Sequence, residues 1–237
     1  MSTTFSTATL VAFVLLTLAV AAVFVAGVAA ASRGMGEDEA TTRRRRNVAG
    51  LAVGGWLAFS TLVAGSGWLS HFDRLPPPLM IFVGLTGVTS TALATSRFGG
   101  VLAQGLPVAA LVGFHAFRLP LEIILHRLGN ENAIPPQMTY HGMNFDVVTG
   151  VTAIAVALWA ATGTLPRVVL LLWNLLGLGL LLNIVTIAIL STPVPFRVFM
   201  NEPANTIITI APFIWLPTVL VQFAWMGHLL IFRRLRP

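Results

Sequence analysis

Apolar stretches long enough to cross a bilayer follow one another along almost the whole chain, separated by short polar breaks. A membrane helix needs about 20 predominantly apolar residues. Seven segments fit that description: 8–30, 47–69, 79–95, 102–128, 144–162, 168–190 and 207–232. In lipid every backbone polar group must be satisfied within the segment, so such runs read as helices. The pattern predicts an all-α integral membrane protein, a seven-transmembrane-helix bundle formed by a single membrane domain over residues 1–237. Its connections are short. The two longer ones on the predicted outer side carry Pro135, Pro136, Pro193, Pro195 and Pro203, which favour ordered turns.

Polar positions break the pattern most clearly in the fourth segment. Gln104, His115, Arg118, Glu122 and His126 fall within an arc of about 80° at roughly 100° per residue. Phe114, Phe117, Leu121 and Ile124 occupy the other faces. Ionisable groups inside a span are costly and face a protein interior or a water-filled cavity, so this stripe is the leading candidate site. Arg118 and Glu122 are four residues apart and predict a pair within the helix. Pro120 lacks an N–H and predicts a kink near Ala116–Phe117, and Pro107 predicts another lower down. His115 and His126 are separated by roughly 16 Å of helix, too far to share one ion.

The loop after this segment adds Tyr140, His141, Asn144 and Asp146. Asn144 or Asp146 is expected to cap the fifth span. Glu122, His126 and His141 supply nitrogen and oxygen ligands of the kind zinc accepts, so a divalent metal such as Zn is one expectation for the cofactor. No HExxH pattern accompanies them. Asn174 and Asn183 lie on opposite faces of the sixth span, and Asn183 is the one at the depth of an outer site. Pro212 and Pro217 predict a bend in the seventh. His228 is expected near the inner interface, away from the other histidines, which leaves His115 without a partner for b-type haem.

Charge sets orientation. Of the 237 residues 56% are hydrophobic and 9% charged, and the formal net charge is +6. Soluble domains carry roughly 25% charged residues. All fourteen basic residues are arginine. The run Arg43–Arg46 follows the first span, and Arg97, Arg167, Arg233, Arg234 and Arg236 fall on the same side by alternation. By the positive-inside rule the bundle is N-out and C-in. The leader Met1–Leu10 has no basic residue, so the first span is expected to be an uncleaved helix. The positive charge serves topology and lipid headgroups, so no nucleic acid partner is expected.

Missing residue types exclude several chemistries. Without cysteine there is no thiolate nucleophile, iron–sulfur cluster or covalent c-type haem. Without lysine there is no Schiff base to retinal or pyridoxal phosphate, and no P-loop lysine.

The strings Phe117-Arg-Leu-Pro-Leu-Glu122 with His126, Gln137-Met-Thr-Tyr140 and Gly142-Met-Asn-Phe-Asp146 resemble a family of uncharacterised bacterial multipass membrane proteins. Leu172-Trp-Asn174, Ser191-Thr-Pro-Val-Pro-Phe196 and Trp215-Leu-Pro217 extend the likeness. The resemblance implies a bacterial cytoplasmic (inner) membrane, and no chemistry.

The residues predict a polar intramembrane pocket in the outer half, binding or transporting a small polar or anionic ligand. Its expected lining is His115, Arg118, Glu122, His126, Tyr140, Asn144, Asp146 and Asn183. Arginine's fork suits carboxylate or phosphate, and histidine titrates near neutral pH. A competing reading is a metal-dependent hydrolase or transferase at the outer leaflet, with metal on Glu122, His126 and a loop ligand, His141 or Asp146. A buried ion pair that only orders helix packing is the third. Membrane lipids are expected partners, and the sequence leaves the oligomeric state and enzymatic character open.

Overall fold

The computed structural model describes residues 5–236. The part of the leader before Phe5 lies outside them. Among the described residues every regular element is a helix. Six helices are long and apolar enough to cross a membrane: α1 (Thr7–Gly34), α2 (Glu39–Gly65), α3 (Pro78–Thr95), α5 (Val108–Asn130), α7 (Arg167–Leu190) and α8 (Leu216–Leu235). α4 (Arg97–Gly105) is short, and α6 (Val147–Thr162) is apolar but has only 16 residues. This is the architecture of a multipass membrane protein.

Three predicted boundaries move, each for a local reason. α2 begins at Glu39 because the Asp38 carboxylate accepts from Thr41 N at 2.7 Å and caps it. The run Arg43–Arg46 is therefore helical rather than a loop. Pro107 does more than bend the fourth segment. Leu106 before it is extended, as a residue preceding proline prefers, and the chain divides into α4 and α5. Gln104 consequently sits exposed on α4 and leaves the stripe. The seventh segment starts as a 3₁₀ turn at Ile207–Thr209 and becomes helical only around Trp215, through a π-turn at Leu216–Leu220 that contains Pro217.

The kink predicted near Ala116 takes the form of a 3₁₀ turn, Phe114–Phe117, inside α5. Pro120 cannot donate to the carbonyl four residues back, so the ladder tightens just before it.

Two large apolar clusters fill most of the bundle, and a small third one joins Ala21, Leu57 and Val219. One joins Phe117, Leu121 and Leu125 of α5 to Leu181 and Ile184 of α7 and to Leu220 and Ala224 of α8. The other joins Leu111 and Val112 of α5 to Leu170 and Trp173 of α7 and to Met226 and Leu230 of α8. Residue 115 of α5 and residues 174–177 of α7 lie between the two large clusters, and residue 228 of α8 lies within the second cluster's stretch. The N-terminus of α1 is tied to the far end of α5: Glu131 accepts from Ser6 N at 3.1 Å, Ser6 Oγ at 2.7 Å and Thr9 Oγ1 at 2.8 Å. Its other end meets the end of α4 backbone to backbone, since a Cβ on Gly105 would stand 2.1 Å from Ala31 O.

Candidate functional site

Arg118 is the hub. Only 1% of its surface is exposed, and it is the largest fully buried side chain among the described residues. Its Nε donates to Asp146 Oδ2 at 2.5 Å, and its Nη2 pairs with Asp146 Oδ1. Nη1 donates to Gly177 O at 3.3 Å and to His228 Nε2 at 3.0 Å, while Nη2 reaches Gly177 O at 3.4 Å. Every guanidinium nitrogen is thus engaged.

Arg118 is therefore paired with Asp146 rather than with Glu122. Asp146 is not a side-chain cap: it precedes α6 but makes no capping bond, because its carboxylate is turned into the bundle. Asn144 takes the local role instead, its Oδ1 accepting from Asp146 N at 3.1 Å. Asn144 Nδ2 donates to Glu122 Oε2 at 2.6 Å and to Met138 O at 3.1 Å. Glu122 has this amide as its partner and no counter-ion within 4 Å among the described residues.

His228 is the residue that sequence reasoning misplaced. Because α8 starts at Leu216, it is the thirteenth of twenty helical residues and sits in mid-bundle rather than at an interface. It is fully buried, and its ring centroid is 4.2 Å from that of His115. Nδ1 faces Asn174 Oδ1 at 2.8 Å, and an amide oxygen can only accept. The proton is on Nδ1, leaving Nε2 as the acceptor for Arg118. Asn174 Nδ2 closes the loop on His228 O at 3.2 Å. At 4.2 Å, tilted 38°, the two imidazoles lie against each other and do not flank a haem iron.

Both rings occupy space that glycine provides. A Cβ on Gly227 would lie 2.7 Å from His115 Nε2, and one on Gly177 would lie 2.8 Å from His228 Cε1. Neither nitrogen of His115 has a hydrogen-bond partner among the described residues, and Trp173 meets the ring edge-on at 5.6 Å.

The remaining predicted lining residues are elsewhere. His126 lies at the rim, stacked on Tyr140 at 4.4 Å and beside the exposed His141, also at 4.4 Å. Glu122 points inward to Asn144, so Glu122, His126 and His141 do not converge. No group of three or more His, Asp or Glu able to hold a metal occurs among the described residues. Asn183, expected in the pocket, instead donates to Met143 O at 2.8 Å, while Asn174 joins the cluster.

Arg118, Glu122 and Asp146 form part of the wall of a cavity of about 90 Å³. Apart from Thr192 the rest of the wall is apolar, with Leu79, Met80 and Val83 of α3, Leu181 and Ile184 of α7 and Leu216 and Leu220 of α8. It has room for several waters or a solute of a few heavy atoms.

Neither a curated protein nor a solved structure matches this chain. A family model described as a domain of unknown function, DUF8737, matches residues 74–236, which is 163 of the 237 and takes in every residue of the polar cluster. The chain belongs to the DUF8737 family.

Proposed function

We propose that this protein binds a small polar solute within the outer half of its helix bundle, as a carrier or receptor, in the cytoplasmic membrane of a bacterium. The observation that carries the reading is the cavity of about 90 Å³ in which three ionisable side chains and Thr192 interrupt a wall that is otherwise apolar. Small-ligand sites have this composition, largely apolar with a few placed polar groups. Glu122 is the contact, since it lacks a counter-ion. The Arg118–Asp146 pair is a fixed dipolar wall beside it. An anion would have to displace the Asp146 carboxylate from a fully engaged guanidinium, so neutral or cationic solutes are favoured over the anionic ones that arginine alone suggests.

The bundle has seven crossings in this reading, N-out and C-in. α6 makes the seventh, its 16 residues covering about 24 Å. The arginines at the start of α2 and the end of α8 hold their ends in the cytoplasm. Reporter fusions at the two termini will report opposite sides, and the same side from both removes this topology.

The binding test is thermal unfolding of purified protein in detergent across a panel of small amines, amides, carboxylates and inorganic ions, for wild type and Glu122→Gln. At least one solute is expected to raise the unfolding temperature of wild type and to leave the variant unmoved. If no panel member stabilises wild type, or every one that does stabilises the variant equally, Glu122 does not hold a solute.

A further inference from the structure

A second space in the molecule is larger and of a different character. It has a volume of about 720 Å³ and lies between α2 on one side and α3, α8 and the start of α4 on the other. α2 packs along α1 and is bridged to the start of α8 by Trp215, whose Nε1 donates to Leu57 O at 3.1 Å, and to α3 and α8 by its own Trp56. That ring stacks on Phe82 at 5.6 Å and donates from Nε1 to Thr218 O at 3.0 Å. Trp56 forms the floor of the groove. The mouth, three turns earlier on α2, is lined by Thr41, Arg44 and Arg45.

We propose that this groove holds one anionic phospholipid, its phosphate at Arg44 and an acyl chain lying along α2 toward Trp56. Length supports the assignment. From Arg44 to Trp56 is twelve residues, roughly 18 Å of helix, close to half of the ~30 Å hydrocarbon core and so to the depth of one leaflet. The walls suit a hydrocarbon chain. Val48, Ala52, Leu93, Val219 and Phe223 are apolar, and the polar groups among them are already satisfied. Ser90 Oγ donates to Gln222 Oε1 at 2.7 Å, and Gln222 Nε2 donates to Pro217 O at 3.0 Å. The Thr86 and Thr89 hydroxyls donate to carbonyls of their own helix.

Charge at the mouth selects the headgroup. Arg45 is held by Glu37 through two hydrogen bonds of 2.6 Å, whereas Arg44 makes no ion pair or hydrogen bond among the described residues. An open guanidinium at the interface end of an apolar groove is complementary to a phosphodiester whose headgroup adds no compensating cation.

The test measures how much phosphatidylglycerol stays bound, by native mass spectrometry after detergent extraction from mixed phosphatidylcholine–phosphatidylglycerol liposomes. Arg44→Gln removes the headgroup contact. Ala52→Trp fills the groove from an exposed position, and Arg43→Gln removes a neighbouring exposed arginine that does not line it. Wild type and Arg43→Gln are expected to retain one phosphatidylglycerol per chain in preference to phosphatidylcholine, with several-fold lower retention in the other two. Equal loss in Arg43→Gln and Arg44→Gln would mean general attraction to a basic helix and overturns the site. Retention undiminished in Ala52→Trp, or no preference for phosphatidylglycerol in wild type, overturns it as well.

Discussion

Arg118 with Asp146 and Arg45 with Glu37 bring the same two functional groups together in two different surroundings. The first pair is 1% and 5% exposed, in the middle of the bundle; the second is 32% and 23% exposed, at the turn between α1 and α2. In the interior the guanidinium's donors are shared among a carboxylate, a backbone carbonyl and an imidazole. At the α1–α2 turn the carboxylate of Glu37 takes both a fork from Arg45 and a hydroxyl from Ser32, and solvent can replace either. Burial, not the chemistry of the pair, determines how much depends on each partner.

The largest effect is expected from Asp146→Asn. It leaves Arg118 charged and buried without a counter-charge, which costs about 3–5 kcal/mol, readable as a collapse of the unfolding temperature in detergent. Replacing both members, Arg118→Met with Asp146→Leu, is expected to restore stability to about the wild-type level or above while changing the cavity wall. A double variant as unstable as the single one would mean that the pair supports the fold by more than mutual neutralisation.

Next comes Gly227→Ala, which pushes a methyl against His115 Nε2. Overpacking of this kind costs roughly 1–3 kcal/mol. Combining it with His115→Ala should recover part of that loss, because the clash disappears. If the alanine is tolerated alone, the imidazole moves freely and is not held in its glycine notch.

The smallest effect belongs to the half-buried pair at the α1–α2 turn. Hydrogen bonds from Arg45, then from Ser32, hold the Glu37 carboxyl below its ordinary value of 4.5. A carboxyl with a depressed folded value stabilises fully above the unfolded value and loses that contribution as pH falls through the folded one. Wild type should therefore lose slightly more stability than Glu37→Gln between about pH 5 and pH 3. Identical acid profiles would place the Arg45 contact outside the folding equilibrium.

How far this arrangement is legible in the sequence differs by residue. His115, Arg118 and Glu122 stand out because charge in an apolar run is rare and its cost is independent of the fold. Their partners do not stand out. Asp146 looks like a cap because caps are local, whereas its turn toward Arg118 depends on how α6 docks on α5. His228 is hidden because Pro212 and Pro217 predict only a bend in the seventh segment, whereas the chain delays helix formation until about Trp215. The same underestimate at Pro107 put Gln104 on the wrong helix. Asp38 hides the helical state of Arg43–Arg46, since one capping carboxylate outweighs four adjacent charges. Glycine carries the least visible information: nothing in the sequence sets Gly177 and Gly227 apart, and only packing reveals that each makes room for a ring.

The order in which the cluster's members are synthesised has a consequence for biogenesis. Arg118 and Glu122 emerge on α5, but the carboxylate that neutralises Arg118 lies 28 residues later, at the threshold of α6. Entering lipid alone, α5 would carry two charges that each oppose insertion by about 2.5–3.5 kcal/mol at mid-span. The penalty falls once Asp146 arrives, so the membrane entry of α5 is best completed only after the start of α6 has been made and can dock on it.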